Sequence, residues 1–211
     1  MDLFEDLANQ VIEGNAQRTK ELTEQALREG RSPKDILENS LLAGMKVVGE
    51  RFKRNEYYVP EVLMSARAVH AGLALLEPLL AAAGVQPVGI VVIGTVRGDL
   101  HDIGKNLVGM MLKGAGFRVI DLGVNVSAEK FIAAVNENRA NILAMSALLT
   151  TTVVNMKEVI DLLKTKGVSA KVLIGGAPVT ESFARQIGAD GYSRNASIAV
   201  ETAKKLVGKV D

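Results

Sequence analysis

Apolar positions recur along this chain with two different periods, and the change comes near residue 85. In the first part they fall three and four residues apart. Leu3, Phe4, Leu7, Val11 and Ile12 set one such stripe and predict an amphipathic helix. Asn15 is placed to cap a second helix reaching Arg28, and Gly30 to stop it. Ser32-Pro33 then pairs a capping side chain with a proline at the first helical position. The helix it opens carries Ile36, Leu37, Leu41, Leu42, Met45, Val48 and Phe52. Asn55 to Val59 interrupts the pattern, and Pro60 starts a last helix running to about Ala83.

After Gly84-Val85-Gln86-Pro87, short apolar runs alternate with amphipathic segments. Runs 89–94, 117–121, 141–146, 170–174 and 190–193 read as strands. Helices are expected near 103–114, 127–138, 153–166 and 180–187, with a last one reaching about Val207. Such alternation implies a parallel sheet covered on both faces. The expected class is α/β. A four-helix bundle over residues 1–84 precedes a flavodoxin-like (Rossmann-like), doubly wound five-stranded parallel sheet over residues 88–211.

Composition narrows the function classes. Of 211 residues, 48% are hydrophobic, which fits packed cores rather than disorder. Twenty-five basic against 24 acidic side chains leave a net charge of +1, giving no electrostatic case for nucleic acid or an anionic membrane. The absence of cysteine removes disulfides, thiolate zinc sites and cysteine-held iron–sulfur clusters. The acidic start Asp2-Leu3-Phe4-Glu5-Asp6 lacks the basic and apolar regions of a signal peptide. Glu77 and Pro78 break the apolar stretch from Ala71 to Val85. A soluble cytoplasmic protein with neither nucleic-acid nor membrane partners is expected.

Three loops follow the carboxyl ends of the expected strands, where open α/β sheets bind ligands. The first holds Asp99-Leu100-His101-Asp102-Ile103-Gly104, in which Asp99 can hold one ring nitrogen of His101 and aim the other outward. The second is Ser146 to Thr152 and the third Ile174-Gly175-Gly176-Ala177-Pro178. Three such loops in register suggest an elongated ligand along the sheet edge. Thr150 to Thr152 also have a plainer reading, as caps of the helix expected from Val153. Gly104-Lys105-Asn106 is not a P-loop, because Gly98 is one residue too far and Asn106 replaces the magnesium-binding hydroxyl. Gly94, Gly98 and Gly104 do not make the dinucleotide fingerprint, and two histidines argue against a zinc hydrolase.

Asp99-x-His101-x-x-Gly104, Ser146-x-Leu148 and Gly175-Gly176, in that order, resemble the signature of cobalamin-binding domains. Met45-x-x-Val48-Gly49-x-x-Phe52, Tyr58-Val59-Pro60-Glu61-Val62 and Ser65-Ala66-Arg67 resemble the helical cap of methionine synthase and of the small corrinoid proteins of methyltransferase systems. The resemblance covers nearly the whole chain. It implies a cobalamin or related cobamide, with His101 as the lower axial cobalt ligand in place of the cofactor's own base. Asp99 would orient His101, and Thr152 would end the relay where methionine synthase has serine; its β-branch restricts the rotamer. Gly98, Asp102, Ile103, Gly104 and Leu148 would complete the loops around the cofactor. Ser146 and Thr150 would line a slot for the displaced nucleotide tail, Gly175 and Gly176 would make room, and Ala196 would lie near the tail's base. Phe52, Val59 and Val62 would cover the upper corrin face, and Glu38 would reach its edge.

The implied function is a methyl carrier that works between a substrate-specific methyltransferase and an acceptor methyltransferase, with a reductive activator as a further partner. Two other readings stay open. A cobalamin-dependent sensor would need a DNA-binding module, for which no room is seen before Leu3. The small subunit of an adenosylcobalamin mutase would lack the helical cap.

Overall fold

The computed structural model describes residues 2–209, which divide into two compact units. One runs to Pro87 and includes Lys113–Gly116; the other comprises Val88–Leu112 and the chain from Phe117 onward.

The first unit is helical. Helix α1 spans Leu3–Ile12 and α2 spans Ala16–Arg28, with Asn15 accepting a hydrogen bond from the Arg18 N–H at 3.0 Å. Ser32 caps α3, Pro33–Ile36, by accepting from the Asp35 N–H at 3.0 Å. The single helix expected from there to Phe52 is divided: α3 passes into a π-helical stretch, Leu37–Leu42, and then into α4, Ala43–Lys53. The buried Ser40 hydroxyl donates back to the Ile36 carbonyl within that wider turn. Helix α5, Val59–Ala82, begins one residue before Pro60, and the Glu61 carboxylate accepts from the Tyr58 N–H at 2.9 Å. By length and composition α5 is long and apolar enough to cross a bilayer. Here it is the helix on which the bundle packs, burying Val62, Ala66, Val69, Leu76 and Leu80. Leu7, Leu22, Ile36 and Leu41 meet it as fully buried side chains from the other rods.

The second unit is a doubly wound sheet. Strands β1 Ile90–Thr95, β2 Arg118–Asp121, β3 Ile142–Ser146, β4 Lys171–Gly175 and β5 Gly191–Ser193 pair in the order β2-β1-β3-β4-β5, all parallel. Helices α6 Ile103–Gly114, α7 Ala128–Asn138, α8 Asn155–Thr165, α9 Glu181–Ile187 and α10 Ala196–Leu206 connect and follow them. Val92, Leu143, Val172 and Ile174 point to one face and join Phe131, Val135, Met156 and Ile160 in a shared core. Val91, Ile93, Ile142 and Leu173 point the other way by the two-residue period of a strand and are equally buried. Both faces are therefore covered, as a parallel sheet requires. The final rung pairs Thr95 with Ser146, Ser146 with Gly175 and Gly175 with Ser193, so four strands end level.

Candidate functional site

That level rung is what brings the loops together. β1 ends at Thr95, whose hydroxyl donates to the His101 carbonyl at 2.8 Å and folds the following loop back over the strand end. Gly98 takes a φ of +80°, a left-handed conformation that a residue with Cβ adopts at a cost. Asp99 follows, and its side chain has no solvent exposure.

Five donors converge on this carboxylate. Oδ1 accepts from the His101 backbone N–H at 3.1 Å and lies 2.7 Å from His101 Nδ1. Oδ2 accepts from the Leu148 N–H at 2.8 Å, the Leu149 N–H at 3.3 Å and the Thr152 hydroxyl at 2.7 Å. Burial pushes the Asp99 carboxyl up, but the Leu148 N–H, the Thr152 hydroxyl and the two His101 donors outweigh it. The group is held well below the usual carboxylate range and stays ionised. An ionised carboxylate can only accept, so it selects the imidazole tautomer with the proton on Nδ1. Nε2 is left with its lone pair on a side chain that is 51% exposed.

The chain segments on either side of this pair expose apolar side chains. Leu100, Ile103, Leu148 and Leu149 are all exposed large hydrophobic side chains on the two loops. Leu148 and Leu149 give their N–H groups to Asp99 while leaving their side chains outward. Asp102 is exposed and accepts from the Asn106 amide at 2.9 Å, and Gly104 opens onto free space. Ser146 is half-buried at the end of β3, and Thr150 is exposed in the loop beyond it. Gly175 closes β4 on the same rung. At Gly176, φ is +131° and an added Cβ would come 1.9 Å from the Ala147 carbonyl oxygen, so this position accepts glycine alone. Ala196 is buried in the first turn of α10, which Asn195 caps.

The structure departs from expectation at two points here. Thr152 does not cap α8, which starts at Asn155 without a side-chain cap; its hydroxyl faces Asp99 and lies 3.0 Å from the Leu149 carbonyl. The restricted rotamer of a β-branched residue is thus compatible with the bond to Asp99. In the helical unit, Glu38 is exposed on the π-helical stretch, Phe52 is half-buried and Val59 is exposed. Val62, which the resemblance would put over the upper corrin face, has zero exposure. It starts the buried stripe of α5 that continues through Ala66 and Val69.

Among the described residues, no group of three or more His, Cys, Asp or Glu side chains could hold a metal ion. A metal at His101 Nε2 must therefore bring its other donors with it, as the ring nitrogens of a corrin do. One imidazole oriented by a buried carboxylate, on a surface that also exposes apolar side chains, fits the face of such a macrocycle. The polar strand ends and the glycine turn beside it fit a polar appendage.

Sequence reasoning missed Leu100 and Leu149, which no motif marks. It also passed over Lys105 and Asp121. The Lys105 ammonium is buried, 2.5 Å from Asp121 Oδ2 and 2.6 Å from Asn106 Oδ1, and ties the first turn of α6 to the end of β2.

Comparison with known proteins gives a consistent picture. A family model described as a B12 binding domain matches residues 89–201, and a second of the same description matches residues 3–77. A corrinoid protein of Desulfitobacterium hafniense (strain Y51) is 44% identical over 214 residues, covering 99% of each chain. A dimethylamine corrinoid protein of Methanosarcina mazei is 42% identical, covering 98% of this chain and 97% of its own. Among solved structures, the methanol:cobalamin methyltransferase complex of Methanosarcina barkeri superimposes with a TM-score of 0.90 and 32% identity. The match covers 99% of this chain and 80% of that one.

Proposed function

This chain belongs to the B12-binding corrinoid proteins, and from that premise we propose that it carries a methyl group on a bound cobamide between two partner methyltransferases. The cofactor, when bound, supplies a cobalt able to take up and release a methyl group. In this reading the cofactor's own lower base is displaced and His101 stands in its place. The observation that carries it is the 2.7 Å contact between His101 Nδ1 and a fully buried Asp99.

Each residue then has a defined task. Asp99 keeps the proton on Nδ1 and the lone pair on Nε2 directed away from the carboxylate. Thr152 and the Leu148 and Leu149 N–H groups keep Asp99 ionised and fixed. Leu100, Ile103, Leu148 and Leu149 exclude water around the ligating nitrogen. Ser146 and Thr150 offer hydroxyls to the displaced nucleotide tail, and the turn at Gly175-Gly176 keeps the strand ends beside them open. The methyl donor arrives on a partner protein. Dimethylamine and methanol, which appear in the names of relatives of this chain, are the first two donors to test.

The decisive experiment loads the protein with a cobamide under reducing conditions and records the cobalt(II) electron paramagnetic spectrum. Nitrogen splitting is expected in the wild type and should change from a triplet to a doublet when the protein alone is 15N-labelled, whereas any splitting left in His101→Ala should not respond to the label. Wild-type splitting that does not respond to the label would refute axial ligation by His101. Adding a methyltransferase with its methylated substrate should then change the visible spectrum, and no change with any donor system would refute the carrier role.

A further inference from the structure

Three non-glycine residues among those described have positive φ: Asn55, Asn125 and Arg139. Arg139 is the left-handed cap of α7 and Asn55 lies in the turn after α4, both ordinary places for it. Asn125, with φ +53°, sits in the segment between β2 and α7 and ends no helix. Such a conformation persists where its surroundings hold it, which makes those surroundings informative.

They lead directly to Asp99. The Asn125 side-chain Oδ1 accepts from the Gly98 N–H at 2.8 Å, and its own backbone N–H donates to the Asp99 carbonyl at 3.0 Å. One residue therefore grips the backbone on both sides of the Asp99 Cα. The grip is itself anchored to β1. The Thr95 N–H donates to Gly123 O and the Val126 N–H to Thr95 O, both at 3.0 Å, and Val96 and Val126 form a parallel bridge. The left-handed backbone at 125 is what lets the N–H and the side-chain oxygen face the same loop. Gly98, also left-handed, turns its N–H to meet it.

We infer that Asn125 is a positioning residue for His101, acting through Asp99: it fixes the backbone that aims the carboxylate, and the carboxylate aims the imidazole. This deepens the proposed ligation by His101 and rests on that reading. The hydrogen bonds of Asn125 go to the backbone of Gly98 and Asp99, so it acts on the imidazole through them.

Two substitutions separate its side chain from its backbone. N125G keeps the left-handed conformation and the N–H but removes the acceptor, whereas N125D keeps all three. In 15N-labelled, cofactor-free protein the His101 Nδ1–H is observed directly; His70 is the other histidine, and H70Q assigns the signals. N125G should speed exchange of the His101 Nδ1–H two- to tenfold, the worth of one neutral hydrogen bond, and N125D should restore the wild-type rate. In cobamide-loaded protein, N125G should lower the ratio of nitrogen-ligated to unligated cobalt(II) by the same factor. A destabilised fold alone would speed exchange of the core backbone amides as well, whereas the inference requires the Nδ1–H to change while those amides keep their wild-type rates. Should N125G not fold, N125S, whose hydroxyl falls short of the Gly98 N–H, replaces it. Wild-type exchange and ligation in the acceptor-deficient variant overturn the inference while His101 ligation stands. Missing nitrogen splitting in the wild type overturns both.

Discussion

Replacing Thr152 by valine removes one donor from Asp99 while keeping the volume and the branching at Cβ. Three donors reach Oδ2 in the wild type: the Leu148 and Leu149 N–H groups and the Thr152 hydroxyl at 2.7 Å. The variant keeps two, of which the Leu149 bond is the longer, at 3.3 Å. Asp99 has no exposure, so water cannot replace the missing donor. A hydrogen bond to a charged group contributes about 1.5–3 kcal/mol, and the valine variant should lose roughly 2 kcal/mol. In a chain of this size that lowers Tm by about 4–8 °C.

The loss also has a signature in pH. Asp99 is held well below the ordinary carboxylate range, so its folded pKa lies under the unfolded value of about 3.9. Its contribution to stability is complete above the unfolded value and is lost as pH falls through the folded one. Removing a donor raises the folded pKa toward the unfolded one. T152V should therefore gain less stability from Asp99 at neutral pH, and its smaller acid loss, which starts at the same pH as in the wild type, should level off at a higher pH. T152S keeps the donor and should keep the wild-type acid limb, losing about 1 kcal/mol for its missing methyl. Thermal melts of the three cofactor-free proteins from pH 7 down to about 2 measure both effects. A T152V melt within about 1 °C of wild type at pH 7, with an unchanged acid limb, would refute the reasoning.

Two further outcomes follow from the same geometry. Gly176→Ala places a methyl 1.9 Å from the Ala147 carbonyl oxygen at a φ of +131°, so it should cost more than about 4 kcal/mol. Calorimetry should show the α/β unit melting roughly 8 °C or more lower, and a near-wild-type melt would mean that the loop after β4 rearranges freely. Lys105→Met strands Asp121, but that carboxylate is already 40% exposed and can rehydrate. The cost should be about 1–2 kcal/mol in urea unfolding, below the 3–5 kcal/mol of a fully buried pair, and a larger loss would show that Asp121 stays dry.

The parts of this molecule legible in the sequence are those that periodicity and local chemistry encode. Strand ends were legible to within one residue, at 94, 146 and 174 against Thr95, Ser146 and Gly175, because apolar runs stop there, and the parallel register then makes three separated loops neighbours. The Asp99–His101 pair could be read because two residues of spacing is enough for one side chain to reach the other. The π-helical stretch at Leu37–Leu42 could not, since a single wider turn leaves the apolar spacing of the helix nearly intact. Val62, given a place over the upper corrin face by resemblance alone, is buried along α5, a distinction that the apolar spacing of the helix does not encode. Thr152 permitted both a cap and a relay, and the choice was made across 53 residues of separation by Asp99. Asn125 left no trace, because neither its left-handed backbone nor its partner at Gly98 follows from residue type.

Asp99 divides its two oxygens between different parts of the fold. Oδ1 serves His101, on its own loop, and Oδ2 serves Leu148, Leu149 and Thr152, on the loop after β3. The orientation of the imidazole is therefore a property of two loops that the sheet register brings level. From the second loop, two of the three donors are backbone N–H groups, which no side-chain substitution at 148 or 149 removes. The side chains of those same residues form the exposed apolar surface beside the imidazole. Substitutions at Leu148 and Leu149 can thus reshape what rests on the site while the carboxylate stays anchored. The side-chain donor that holds the relay sits three residues further on, at Thr152. Surface and relay are separable within one short loop, so a change in what the site accommodates need not disturb how the imidazole is aimed.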